Sequence, residues 1–506
     1  MISMHIQPPG LYLTLSKRGR KAAGLAAVLL VCLACSPLGW GQDDSKAAAP
    51  SAPDPAQAQP DTKPQTCRAC MRANLEFLAS DALRGRGSGT SDELLAAIYI
   101  ASELERIGVE PAGESGDVSG LNRFLQTVTI RRRKVTGTPR LSFGSGKTLK
   151  TLTYGKDFHL FRLAQAGYAG TLHKEDISQE AAGAFVFLPL GGEMTPQEIQ
   201  KQRVKHRNAS LLLAPMTAEV RRQAQLQKEM PSLPVEIEGV ASVRSTIPAV
   251  IYLAPEAMAK IGKLPEGTAM RLEADITTTI EHSRNVIGKI SGSDPRLAEE
   301  VILLSAHLDH LGVGPEINGD GIYNGADDDA SGVTAVLEMA RALARYPKPR
   351  RTVQFALFGS EEEGLLGASY YREHPTVPLE KVVANLEFEM LSRADAAVAE
   401  DEVWLTGWER SDLGPELARH GAHLVGDPHL REGFFQRSDN YALALRGVVA
   451  HTVSSFGVHS DYHQPSDDLS KVDWNHMFQA IESLVEPVRW LVNSEFRPQW
   501  LPGKRP

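Results

Sequence analysis

Histidines and carboxylates recur in five short stretches of the second half of this chain: AHLDH at 306–310, GADDDASG at 325–332, SEEEG at 360–364, EFEM at 387–390 and YHQPSDD at 462–468. Each stretch supplies a side chain able to bind a metal or carry a proton. A His, Asp, Glu, Glu, His set suffices for two adjacent zinc ions, because zinc takes imidazole and carboxylate ligands and a catalytic site leaves room for water. One shared carboxylate and one shared water would then hold the pair at the spacing of two-metal hydrolases.

His307 and Asp309 stand two apart at the end of an apolar run, hence on one face of a strand. His307 is the expected ligand, and Asp309 the carboxylate that fixes the ring's orientation. Alone, that pair would read as a structural histidine beside a solvated aspartate, and His310 as pocket wall. Asp327, Asp328 and Asp329 precede a helix beginning near Ser331, where at least one suits the positive end of its dipole. A calcium loop is the rival account: Asp327, Asp329, Ser331, Gly332 and Glu338 fall at its positions 1, 3, 5, 6 and 12. That loop needs an entering helix, whereas a Gly-rich run after a strand precedes it here.

SEEEG follows an apolar strand and opens a helix, so its neighbouring glutamates point in different directions and can divide the work. One would grip metal while the other stands over the attacking water, close to it without being a ligand. Glu389 ends the strand VVANLEFEM, with Glu387 on the same face, and a carboxylate in so apolar a setting is costly unless paired or metal-bound. His463, in a polar loop before a proline, suits a last, loop-borne ligand. Its neighbour Tyr462 is placed to donate to a developing oxyanion, with core packing as the commoner fate of such a ring.

The elements that must position these residues alternate strand and helix after residue 283, which predicts an α/β fold: a mostly parallel twisted sheet covered by helices on both faces. Ligands bind such sheets beyond the carboxyl ends of the strands, where four of the five motifs fall. Residues 66–120 read as helical, with Leu94, Ala97, Ile98, Ala101, Leu104 and Ile107 at near-helical spacing and a stop at Gly108. Residues 121–282 change to short apolar runs and form a smaller, strand-rich inserted domain. Its polar segment TPQEIQKQRVKHR reads as a solvated helix. The main domain, begun in residues 66–120, resumes over 283–495.

The cationic start Lys17, Arg18, Arg20 and Lys21 runs into AAGLAAVLLVCLAC, too short for a stable membrane span, so residues 1–41 read as a secretory signal. Cleavage after Gly39-Trp40-Gly41 is favoured over lipidation at Cys35, which places the protein in the periplasm or outside the cell. Residues 42–65, rich in Ala, Pro and polar residues, read as a disordered linker. In an oxidising compartment Cys67 and Cys70 can close a small disulfide; they lack the partners of a haem or zinc site. A net charge of −8 excludes a basic nucleic-acid footprint. Nothing in the sequence fixes an oligomeric state.

With all five motifs in order, and FLASDALRGRGSG ahead of them, the chain resembles peptidase family M28, the co-catalytic zinc aminopeptidases, across most of residues 72–495. The resemblance implies two zinc ions held by His307, Asp327, Glu362, Glu389 and His463, with Asp327 bridging and its peptide to Asp328 cis. It also implies Glu361 as general base and peptide or protein N-termini as substrate. Glu389 departs from the family, where Asp is more usual. The insert resembles a protease-associated domain by position and strand texture. A carboxypeptidase, a glutaminyl cyclase and a metal-binding ectodomain without activity are the alternatives on the same scaffold.

Overall fold

The computed structural model describes residues 66–506 apart from 115–118, 175–182, 189–193, 227–229, 241–247 and 346. The predicted leader and linker therefore lie outside the described residues. Among those described, no helix is long and apolar enough to cross a membrane.

A ten-stranded sheet carries the fold, and its middle is parallel: Val449–Ser454, Val382–Phe388, Val301–His307 and Thr352–Phe358 lie side by side in that order. The continuous apolar runs of these strands follow from burial on both faces. Ile302, Leu304 and Ala306 face one core beneath the helices Arg68–Leu78, Ser91–Ile107, Gly332–Arg345 and Trp474–Asn493. Val301 and Leu303 face the other, beneath Leu366–Glu373 and Asn440–Ala444. On both sides of this middle the next strand runs antiparallel, Val403–Leu405 against Val449–Ser454 and Ile276–Ile290 against Thr352–Phe358. The first strand-like run after residue 283, NVIGKI at 285–290, where the mostly parallel sheet was expected to begin, belongs to the long strand Ile276–Ile290, which pairs antiparallel with both Thr352–Phe358 and Leu125–Val135. It runs that way because it is the return leg of the excursion through the inserted residues.

That excursion builds a second, eight-stranded sheet from strands between Arg140 and Glu273, around its own apolar core of Leu141, Phe158, Phe185, Leu213, Ile251 and Leu272. The helix Ser91–Ile107 starts under the Thr90 hydroxyl, which accepts from the Asp92 and Glu93 amides, and ends at Gly108 with φ 92°. Its buried stripe runs through Ala96, Ala97, Ile100, Ala101 and Leu104, leaving Leu94 at the surface. Cys67 and Cys70 are joined at the start of the first helix.

Candidate metal centre

The four parallel strands end on one edge of the sheet and deliver the motifs there. His307 is the last residue of its strand, Ser360 and the glutamates follow Phe358, and Glu389 follows Phe388. His463 lies in the loop beyond Ser454. Three residues of these turns, Ser360, Met390 and His463, adopt φ between 54° and 56°, a left-handed backbone that non-glycine residues avoid and that clusters at functional sites.

Two groups of metal-binding atoms form at this edge, His307 with Asp328 and Glu389, and His310 with Asp328 and Glu362, each within 4.8 Å. Asp328 belongs to both. Its Oδ1 lies 3.1 Å from His307 Nε2, and its Oδ2 lies 3.3 Å from His463 Nε2. His463 Nε2 also stands 3.1 Å from Glu362 Oε2, and His310 Nδ1 stands 2.7 Å from Glu362 Oε1. Despite these distances His307 Nε2, His310 Nδ1, His463 Nε2 and Glu362 Oε1 are buried without an aligned hydrogen bond among the described residues. Donor atoms that converge on common points instead of pairing are the arrangement ligands take around an ion, and the imidazole and carboxylate set suits zinc.

The acidic triple is shifted by one from the expected register. Asp327 turns away from the centre: its Oδ1 accepts from the Ser392 amide and hydroxyl, both at 2.8 Å, and its Oδ2 meets His459 Nε2 at 3.1 Å. Asp329 accepts from the amides of Gly332 at 3.0 Å, Met390 at 3.1 Å and His307 at 3.2 Å. Asp328 alone reaches the cluster, and the cis peptide joins Asp328 to Asp329. Three consecutive side chains point three ways, so the motif by itself left the bridging position open. The calcium loop does not form, since Glu338 sits within the helix Gly332–Arg345 and is taken by Arg341 and the Cys67 amide.

Asp309 is buried beside His307, but the ring's Nδ1 faces the Asp309 backbone carbonyl at 3.2 Å while the nearest carboxylate oxygen is 3.9 Å away. The Asp309 carboxylate instead accepts from the Glu361 amide at 2.9 Å, the Glu362 amide at 3.4 Å and Ser88 Oγ at 2.7 Å. It thus fixes the turn carrying both glutamates. Glu363 faces outward to Arg132 at 3.1 Å, which leaves Glu361 and Glu362 as the inward pair. Tyr462 stacks on His463 with ring centroids 3.9 Å apart, and its hydroxyl lies 3.4 Å from Arg437.

Two contributors were not assigned a role in the site from the sequence. His310, expected as pocket wall, is buried against Glu362. Arg86, from the RGRGSG stretch, is buried and donates to four backbone carbonyls: Leu308 at 2.9 Å, Leu78 at 2.6 Å, Asn324 at 2.7 Å and Gly325 at 3.0 Å. Its planar fork ties the loop after His307 to the loop before the acidic triple. An HxDH spacing hints at the first; a buried arginine reading only carbonyls has no spacing signature.

Burial and mutual repulsion set the acidity of the centre. Burial first, then the neighbouring carboxylates, push Glu361 well above the usual carboxylate range against the pull of His307. Burial likewise pushes Glu389 up to about 7. Burial would do the same to Glu362, but His310 and His463 hold it at about 2. Burial opposes a charge on His463, yet Asp328 and Glu362 raise it to about 10. One inward glutamate is thus matched to cations, while its neighbour holds protons readily. Beside them lies a pocket walled by Met390, Trp404, Phe434, Phe456 and Tyr462.

Residues 285–486 match peptidase family M28. The chain is 24% identical over 427 residues to aminopeptidase YwaD of Bacillus subtilis, covering 83% of this chain and 84% of that protein. It is 29% identical over 210 residues to a probable leucine aminopeptidase 2 of Aspergillus oryzae, covering 40% of this chain and 39% of that protein. Among solved structures, an aminopeptidase from an Aneurinibacillus species aligns over 85% of this chain and 95% of its own, with 16% identity and a TM-score of 0.49.

Proposed function

We propose that this chain, whose residues 285–486 match peptidase family M28, is an exported zinc aminopeptidase of that family that removes N-terminal residues from peptides. The observation that carries this reading is Asp328, whose two oxygens face different imidazoles, with Glu389 on one side and Glu362 on the other. Export rests on the predicted leader. One zinc would be held by His307, Asp328 and Glu389 and a second by Asp328, Glu362 and His463, with His310 against the other oxygen of Glu362. Such a pair would supply Lewis acidity to the scissile carbonyl and to the attacking water.

Glu361 does the proton work. It lines the same pocket as Asp328 and Glu389, and burial raises its proton affinity well above that of an ordinary carboxylate, as suits a general base. It takes the proton of the attacking water and returns it to the leaving amine. Tyr462, which lines the same pocket, would donate its hydroxyl to the oxyanion. The apolar walls Met390, Trp404, Phe434 and Phe456 suit a hydrophobic N-terminal side chain, and the surrounding carboxylates suit its free ammonium group.

The test is an assay of purified protein on leucyl anilide and on its N-acetylated counterpart, together with metal analysis. Two zinc equivalents, cleavage of the free amine alone and loss of activity to chelators are expected. A single tightly bound ion with full activity on an N-terminal glutaminyl peptide would replace the reading by a cyclase, and cleavage of the acetylated substrate would replace it by another peptidase type.

A further inference from the structure

Where the two sheets adjoin there is a groove of about 810 Å³ that plays no part in the chemistry described above. Its lining carries five cations, Arg132, Arg133 and Lys134 from the strand Leu125–Val135 together with Arg162 and Arg203 from the inserted residues. Glu363 is the one carboxylate among the described lining residues. On a chain of net charge −8 this is a local reversal of sign. Two of the five are spoken for: Arg132 pairs with Glu281 at 3.0 Å and with Glu363 at 3.1 Å, and Arg133 pairs with Glu236 at 2.8 Å. Among the described residues Arg203 bonds only neutral partners, the Pro248 carbonyl and Gln200, both at 3.1 Å. Lys134 and Arg162 are exposed and meet no carboxylate among the described residues.

The groove is tied to the catalytic edge by Glu363, which follows Glu361 and Glu362 directly in the chain and is held by Arg132. A substrate whose first residue occupies the apolar pocket must lead the rest of its chain away from the glutamates. Because the groove begins at their neighbour and presents unpaired positive charge, carboxylates are the groups it would hold by complementarity.

We propose that this groove receives the part of the peptide substrate beyond the scissile bond and favours carboxylates there. The proposal rests on the aminopeptidase reading and names a selectivity which that reading does not supply. Exposed ion pairs contribute modestly, up to about fivefold each, and salt screens them. The groove therefore acts on kcat/KM for peptides and leaves small amino-acyl substrates alone.

The experiment compares kcat/KM for Leu-Ala-Glu-Glu-amide, Leu-Ala-Gln-Gln-amide, the free acid of Leu-Ala-Gln-Gln and leucyl anilide, at low and at physiological salt. The acidic amide should exceed the neutral amide by about five- to tenfold at low salt, narrowing as salt rises. The neutral free acid separates a terminal carboxylate from side-chain carboxylates as the group recognised. In the surface variant Lys134→Glu/Arg162→Glu the preference should vanish or invert with leucyl anilide turnover unchanged, and Lys134→Gln/Arg162→Gln should give an intermediate ratio. Equal kcat/KM for acidic and neutral amides, or a preference that survives the charge reversal, overturns the groove while anilide cleavage keeps the aminopeptidase reading. Absence of anilide cleavage overturns both.

Discussion

The catalytic edge of the large sheet and the core of the second sheet are equally hidden from water, yet they are filled with opposite chemistry. The second sheet encloses Leu141, Phe158, Phe185, Leu213, Ile251 and Leu272, whose burial is favourable by itself. The edge encloses Asp309, Asp328, Asp329, Glu387 and Asp439, against His307, His310 and Arg86. Both carboxylate oxygens of Asp439 and one of Glu387 lack a hydrogen-bond partner among the described residues. Buried, incompletely paired charge costs stability unless something binds it. The second sheet is held by its own apolar core, whereas the edge is held by the apolar cores on the two faces of the large sheet, so that its unpaired groups can act on a ligand.

The largest effect separating the two regions should come from Glu361. Glu361→Gln keeps the shape and removes the proton acceptor, so turnover should fall by at least the roughly 100-fold that general base catalysis commonly supplies, with zinc content unchanged. Glu362→Gln, which alters a group facing His310 and His463, should instead lower zinc affinity and recover partly in excess metal. Zinc stoichiometry and turnover measured on both variants decide this. Full turnover in the Glu361 variant would mean that the buried carboxylates of the edge are structural, and the contrast with the insert would collapse.

A smaller difference should separate neighbours within the acidic triple. Asp328→Asn removes charge from the residue common to both donor groups and should abolish stoichiometric binding of the second zinc. Asp327→Asn leaves the cluster intact but weakens the Ser392 and His459 contacts, for which a loss of about 10- to 100-fold in metal affinity or activity is expected, with two ions still bound at saturation. Isothermal titration with zinc reads both. If the Asp327 variant were the one to lose an ion, the bridging role would return to the position that the family resemblance implied.

That shift of one residue shows how far the sequence could be read. The apolar runs ending at His307, Phe358, Phe388 and Ser454 announced strands buried on both faces, and a topology that gathers strand ends announced where the motifs would meet. The periodicity of a motif says nothing about which of three adjacent aspartates turns inward, because that is decided by partners distant in the chain, Ser392, His459 and Met390. Asp309 illustrates the same limit: its spacing from His307 was visible, but its acceptance of the Glu361 amide depends on the neighbouring strand. The antiparallel return of Ile276–Ile290 was hidden for a related reason, since strand texture carries no direction.

The smallest effect on chemistry should come from the most disruptive change to packing, made in the other region. Phe185 is completely buried in the core of the second sheet, and Phe185→Ala removes most of its contacts. Such a truncation typically costs about 3–5 kcal/mol, which should appear as an earlier denaturant transition of the inserted residues. None of the donor atoms of the metal centre comes from that sheet. At temperatures where the variant stays folded, leucyl anilide turnover and zinc content should therefore match the unmodified protein, while cleavage of acidic peptides falls if the groove walls move. A loss of anilide turnover equal to the loss of stability would show that the two regions are one cooperative unit, with the insert supporting the catalytic edge.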